Sequence, residues 1–192
     1  CDAFDYQGYW SHSLLMALSM QALGAHVHVA AADELFVCGL MAQVGQLALA
    51  TAYPDEYNAV LNAHHASPSQ ALVVHERAHL ETDHSELGIV MMSDWGMPRV
   101  FTEPLAHYED PEHSSHPHDS RSSSLILMLR LSHRLADLGL AQADARRGLA
   151  MEWVTLAGEL AHERGMHVRI CSLQVSCFPR PPHDNPSVLI VM

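Results

Sequence analysis

The chain has 192 residues, 48% of them hydrophobic and 17% charged, and ten Lys and Arg against 22 Asp and Glu give a formal net charge of −12. That length holds one complete core with little left for a second domain, and so apolar a composition excludes intrinsic disorder. The acidic balance, with Lys absent and the arginines scattered, argues against a nucleic-acid partner, because a phosphate backbone rewards clustered positive charge.

Residues 1–8 lack periodicity and are expected to be an N-terminal segment. A helical pattern follows from Tyr9 to Leu23, with Leu14, Leu18 and Met20 or Leu23 facing inward and Gly24 as the stop. The next helix starts near Asp33 and carries Leu35, Phe36, Leu40, Met41, Val44 and Leu47. Gly39 and Gly45 inside it cost up to about 1 kcal/mol each relative to Ala, which is tolerable where another helix packs closely. A short helix is expected around Pro54 to Ala63. Ser67, Pro68 and Gln70 then read as N-cap, N1 and N3 of a capping box ahead of A-L-V-V-H-E-R.

Thr82 or Asp83 suits the N-cap of a further helix. Its Leu87, Val90, Met91 and Trp95 recur at helical spacing, Gly96 fits the C-cap, and Pro98 can open the next helix. After His107 comes a polar stretch with two prolines, a surface loop whose His113, His116 and His118 lack the fixed geometry a metal needs. Ser124 or its neighbours cap an apolar helix that Gly139 ends. One more helix, Gln142 to Arg164, carries Leu149, Trp153, Leu156 and Leu160 on one stripe. Met166 to Cys177 reads as extended, and residues 178–187 as a stiff Pro-rich linker. The closing apolar run at 188–192 looks like the first strand of a receiver domain.

No apolar run approaches the roughly 20 residues of a membrane-spanning helix, and an N-terminus with Asp2 and Asp5 has no basic signal-peptide region. Cys1, Cys38, Cys171 and Cys177 show no C-x-x-C spacing, so reduced thiols in a cytoplasmic protein are expected. The 16 histidines raise metal binding and pH sensing as ideas. For His26, His28, His64, His65 and His183 a plain surface location is the simpler reading.

Glu76-Arg77, Asp83-His84, Glu86, Gly88, Trp95, Pro98 and His107 ahead of Pro111 follow one another in an unusual order and spacing. The pattern resembles the HDOD family, non-hydrolytic relatives of the HD metal-dependent phosphohydrolases. The W-S-H-S-L run at Trp10 to Leu14 is similar to the family's entry into this half of the domain. The resemblance covers roughly Tyr9 to Gly139 and implies an all-α, HD-like helical bundle, here expected over residues 9–177. The family's preceding helical subdomain has no counterpart, so a piece of a longer signalling protein is expected, with apolar surface that favours oligomers or partners.

Active HD enzymes gather N and O ligands around a metal whose bound water attacks. By resemblance, His12 stands at the first ligand position. Gly39 to Gly45 matches the segment holding the adjacent His-Asp pair, which places Ala42 at the His and Gln43 at the Asp. The distal Asp falls at His133. Ala has no ligand atom and Gln is a weak, neutral one. The surviving His12, His84 and His107 would at most hold a soft ion. The expectation is therefore a degenerate pocket of His12, Ala42, Gln43, His84, His107 and His133, with no catalytic residue, metal or cofactor. Glu76, Asp83, Glu86, Gly88, Trp95 and Pro98 are read as structural, with Glu76 and Glu86 solvated or capping and Trp95 and Trp153 in the core. Cys38 reads as inert packing, and no nucleophile elbow, Walker A loop or dinucleotide fingerprint is present.

The implied function is a non-enzymatic regulatory or output domain in bacterial signal transduction. It would work through contacts with protein partners, fused receiver or GGDEF domains of cyclic-di-GMP signalling, or a second copy of itself, with no nucleic acid or membrane involved. The alternatives are a residual HD-type phosphohydrolase or phosphodiesterase, and a small-ligand sensor built on the old pocket.

Overall fold

The structure, a computed structural model, describes residues 1–109, 120–142, 145–163, 167–171 and 187–191. Among them are nine helices: α1 Tyr6–Val27, α2 Ala32–Met41, α3 Val44–Ala52, α4 Pro54–Ala66, α5 Leu72–Leu80, α6 His84–Asp94, α7 Arg99–Leu105, α8 Arg121–Leu140 and α9 Arg146–Glu163. Two short strands, β1 His167–Cys171 and β2 Ser187–Val191, pair in parallel with His167 opposite Ser187. The body is thus the expected all-α, HD-like bundle, with one small ladder near its C-terminal end. Most of the Pro-rich stretch and the whole His113–His118 region lie outside the described residues.

The long helix α1 is the axis, packed against both α2 and α8. Asp5 caps it by accepting from the Gly8 amide at 2.9 Å. It runs past Gly24 and stops at His28, which takes the left-handed conformation (φ 55°). Its buried stripe is Met16, Met20, Leu23 and Val27, while Leu14 and Leu18 are each 48% exposed. Met20 and Leu23 thus face inward as expected, whereas Leu14 and Leu18 face outward. Helical periodicity admits two apolar stripes on this segment, and only the packing of α2 and α8 selects between them.

The single helix expected from Asp33 is broken at Ala42–Gln43, where Gln43 (φ −110°, ψ 18°) leaves helical geometry and α3 restarts. Both glycines flanking the break serve close approaches. A Cβ on Gly39 would lie 2.9 Å from the Ala17 Cα, and one on Gly45 would overlap the His84 carbonyl oxygen. Gly45 therefore sets α3 directly onto the start of α6. Ala32–Ala52 is, by length and composition, apolar enough to cross a membrane, contrary to the sequence reading. It is folded instead as two short helices packed into the bundle.

Two other local expectations change. Ser67 ends α4, and α5 starts after Ala71 without a side-chain cap, so the Ser67–Gln70 signal marks a turn. Trp95 is 58% exposed, and α6 buries His84, Gly88 and Met92. Asp83 is the N-cap of α6, Gly96 has φ +79°, and Pro98 precedes α7 as its N-cap.

The main core joins α1, α2 and α7 to α8 and α9 through Met16, Met20, Leu35, Leu125, Met128 and Trp153, each at most 1% exposed. A smaller cluster of Tyr9, Leu49, Tyr57, Val60 and Leu61 includes Phe4, so the opening segment is packed down. Ala3 adds a hydrogen bond from its amide to Asn58 Oδ1 at 2.8 Å. Cys38 is buried in the apolar main core, which pushes its thiol up to about 12 and leaves it inert at neutral pH.

Candidate functional site

A cavity of about 820 Å³ lies where α1, the α2–α3 break, the start of α6, the segment after α7 and the middle of α8 converge. Each element contributes polar groups to its wall: His12, Gln43, His84, Tyr108 with Glu109, and His133 with Asp137. Helical spacing explains the α8 contribution, since residues four apart stack on one face.

Across the cavity, His12 Nε2 lies 3.0 Å from Asp137 Oδ1, and His133 Nε2 lies 3.6 Å from Asp137 Oδ2. The two imidazoles meet edge-to-face with centroids 4.9 Å apart. Gln43 Nε2 is 3.5 Å from His133 Nδ1, reaching over from the helix break. Burial works to raise the Asp137 carboxyl, but the His12 hydrogen bond and the neighbouring positive charge lower it overall. For His133 burial prevails, and its pKa is lowered, favouring the neutral ring.

His84 belongs to a second network behind this wall. Glu76, fully buried, accepts from the Tyr57 hydroxyl at 2.8 Å, the His84 amide at 3.0 Å and His84 Nδ1 at 2.7 Å. On the other side His84 Nε2 donates to Glu109 Oε1 at 3.1 Å, which also accepts from the Tyr108 hydroxyl at 2.8 Å. Burial pulls the imidazole down, but the two carboxylates outweigh it and raise it to about 10, so His84 is a cation at neutral pH. Burial likewise opposes ionisation of Glu109, and His84 reverses that to hold it well below the carboxylate range. Asp83 Oδ1 accepts from the Glu86 amide at 2.9 Å while its other oxygen pairs with Arg77, which ties α5 to α6.

The residues expected in the pocket divide accordingly. His12, Gln43, His84 and His133 line the cavity; Ala42 sits in the main core, and His107 is not among the lining residues. The acid facing His12 is Asp137, one turn beyond His133, and the pocket keeps anionic groups in Asp137 and Glu109. His84 offers no free nitrogen, because both ring atoms face carboxylates. Glu76 was read as solvated or capping, yet it is the fully buried centre of the network. His64 is half-buried and His65 exposed as expected, and both line the rim of the same cavity. Asp137 and Glu109 were not singled out from sequence. The His133-x-x-x-Asp137 spacing was the available signal for the first; nothing local marks the second.

By the resemblance, the adjacent His-Asp pair of an HD-type metal centre falls at Ala42 and Gln43; Ala42 is buried in the main core and carries no ligand atom, so these residues do not fit that group. What the described residues do bring together is His12, His133 and Asp137, whose ligand atoms all lie within 4.8 Å of one another.

The HDOD domain model matches residues 1–111. The chain belongs to the HDOD family. Among solved structures, the MmoQ response regulator of Methylococcus capsulatus str. Bath is 34% identical with a TM-score of 0.66, over 84% of this chain and 64% of that one. A candidate phosphohydrolase from Shewanella amazonensis SB2B shares 20% identity and a TM-score of 0.62, over 84% of this HDOD chain and 62% of its own. A candidate signal transduction protein from Marinobacter aquaeolei VT8 shares 22% and 0.55, over 82% and 38%. The last two likenesses establish the fold alone. This chain spans less than two thirds of the length of each. No curated protein sequence matches it.

Proposed function

We propose that this HDOD chain is a non-enzymatic regulatory module of bacterial, cytoplasmic signal transduction, relaying a signal through protein contacts. What carries the reading is Ala42 and Gln43 standing where the resemblance puts the His-Asp pair, which leaves Asp137 beside His12 without the charged pair hydrolysis needs. Similarity to a response regulator at 34% identity supports the signalling role. Receiver or GGDEF modules of cyclic-di-GMP signalling are the partners this reading favours. The exposed stripe of Trp10, Leu14 and Leu18 along α1 offers a contact surface. The net charge of −12 disfavours nucleic acid as the partner.

The test is turnover. Protein loaded in turn with Mg²⁺, Mn²⁺ and Fe²⁺ is given phosphomonoesters, phosphodiesters and cyclic dinucleotides, and no product above the uncatalysed rate is expected. Product formation with any of them would instead support residual hydrolysis.

A second reading draws on the cavity itself. Its volume of about 820 Å³ is within the range of small-molecule sites, which favours a sensor that reports occupancy through the helices around it. A nucleotide-induced thermal shift in the wild type that disappears in His84→Ala would support that reading; no shift with any nucleotide would dismiss it.

A further inference from the structure

We propose that His12, His133 and Asp137 form a binding site for one late transition-metal dication of the zinc class, clamping α1 to α8 without hydrolytic activity. This goes beyond the regulatory reading and does not depend on it. The geometry supplies the argument. Zinc holds imidazole nitrogen and carboxylate oxygen at about 2.0–2.2 Å, so neighbouring donors of a tetrahedral ion stand roughly 3.3–3.5 Å apart. His12 Nε2 lies 3.0 Å from Asp137 Oδ1 and His133 Nε2 lies 3.6 Å from Oδ2 of the same carboxylate, and one donor atom from each of the three residues lies within 4.8 Å of the others. All three residues line the cavity, so an ion held by them is open to it.

Gln43 completes the arrangement from behind. Its side-chain amide lies 3.5 Å from His133 Nδ1. With the amide oxygen turned toward that atom, Gln43 accepts Nδ1–H and leaves the Nε2 lone pair directed at Asp137, the orientation metal-bound imidazoles require. The donor set also selects the ion. Two imidazoles and a single carboxylate suit zinc, cobalt or nickel, whereas Mg²⁺ favours oxygen ligands. One neighbour competes: Arg134 NH1 is 3.2 Å from Asp137 Oδ2, and its 45% exposed side chain has room to swing into solvent.

The experiment uses the full chain, stripped with a chelator and titrated with Co²⁺, followed by visible d–d absorption and by Tm. The expected result is one equivalent of Co²⁺ with tetrahedral absorption, displaced by Zn²⁺, and a raised Tm; Mg²⁺ does neither. Asp137→Asn and His12→Gln abolish the absorption while far-UV circular dichroism stays native, and Gln43→Ala weakens binding about 10- to 100-fold. Arg134→Ala tightens it. Should Asp137→Asn fail to fold, His133→Gln takes its place. Replacing His113, His116 and His118 together by Ala leaves the signal intact. Absence of saturable Co²⁺ binding overturns the proposal. So does binding that survives Asp137→Asn, or binding lost in the His113–His116–His118 variant, either of which marks adventitious histidine capture elsewhere.

Discussion

His12 Nε2 on α1 and Asp137 Oδ1 on α8 stand 3.0 Å apart although 125 residues of chain separate them. This contact ties the long central helix α1 to α8, which packs along it.

Replacing Asp137 by Asn tests the structural share of that contact in the absence of metal. His12 and Asp137 side chains are 13% and 28% exposed, and a charged hydrogen bond in such a setting contributes roughly 1.5–3 kcal/mol. Urea unfolding of chelator-treated protein should show a loss of that order. An unchanged midpoint would mean that the pair adds nothing.

The Glu76–His84–Glu109 network makes stability depend on pH at both ends. The His84 value is raised from 6.5 to about 10, so its stabilisation is complete below pH 6.5 and is lost as pH rises toward 10. Glu109 is lowered from 4.5 to about 2, so its share is present above pH 4.5 and is lost as pH falls toward 2. The contribution of this network should therefore be greatest between about pH 4.5 and 6.5, while His133, with its lowered value, adds stability that fades as pH falls below 6.5. In His84→Gln the decline on the alkaline side should flatten; an identical alkaline slope would show that the imidazole is not the titrating group.

Glu76 itself should be among the costliest single losses in the chain. Glu76→Ala leaves the buried His84 Nδ1 and the Tyr57 hydroxyl without their acceptor, and breaking a buried ion pair from one side costs about 3–5 kcal/mol. Tyr57→Phe, which removes one donor and keeps the ring, should cost roughly 1 kcal/mol. Equal losses from the two would contradict the central place given to Glu76.

Trp153 and Trp95 make a matched pair, since both were expected in the core and only one is there. Trp153, 1% exposed, should cost about 3–5 kcal/mol when replaced by Ala. Trp95, 58% exposed, should cost within about 0.5 kcal/mol. A large loss of monomer stability at Trp95 would call its exposed position into question.

Much of the bundle was legible because its signals are local. Asp83 as a cap, Gly96 after a helix and the tight passages at Gly39 and Gly45 are each written within a few residues. What could not be read depends on tertiary choice. Leu14 and Leu18 have the same period as Met16 and Met20, and nothing in α1 alone says which stripe meets α8. The break at Ala42–Gln43 was hidden because both sides are apolar and helix-forming. In the site, the resemblance pointed to His12, Gln43 and His133, which do line the cavity, but it passed over the acid beside them. Only the packing of α8 against α1 shows that Asp137, not His133, is the acid that faces His12. Glu109 follows a helix end at the start of a polar stretch of sequence, where no periodicity identifies its partner.

The most direct test of a regulatory module with a disabled hydrolase pocket is phosphoester cleavage under enzyme excess, in wild type and Asp137→Asn side by side, each loaded with Mn²⁺ or Fe²⁺. The account predicts product at the background rate in both, for monoesters, diesters and cyclic dinucleotides alike. Cleavage by the wild type that vanishes in Asp137→Asn would contradict it.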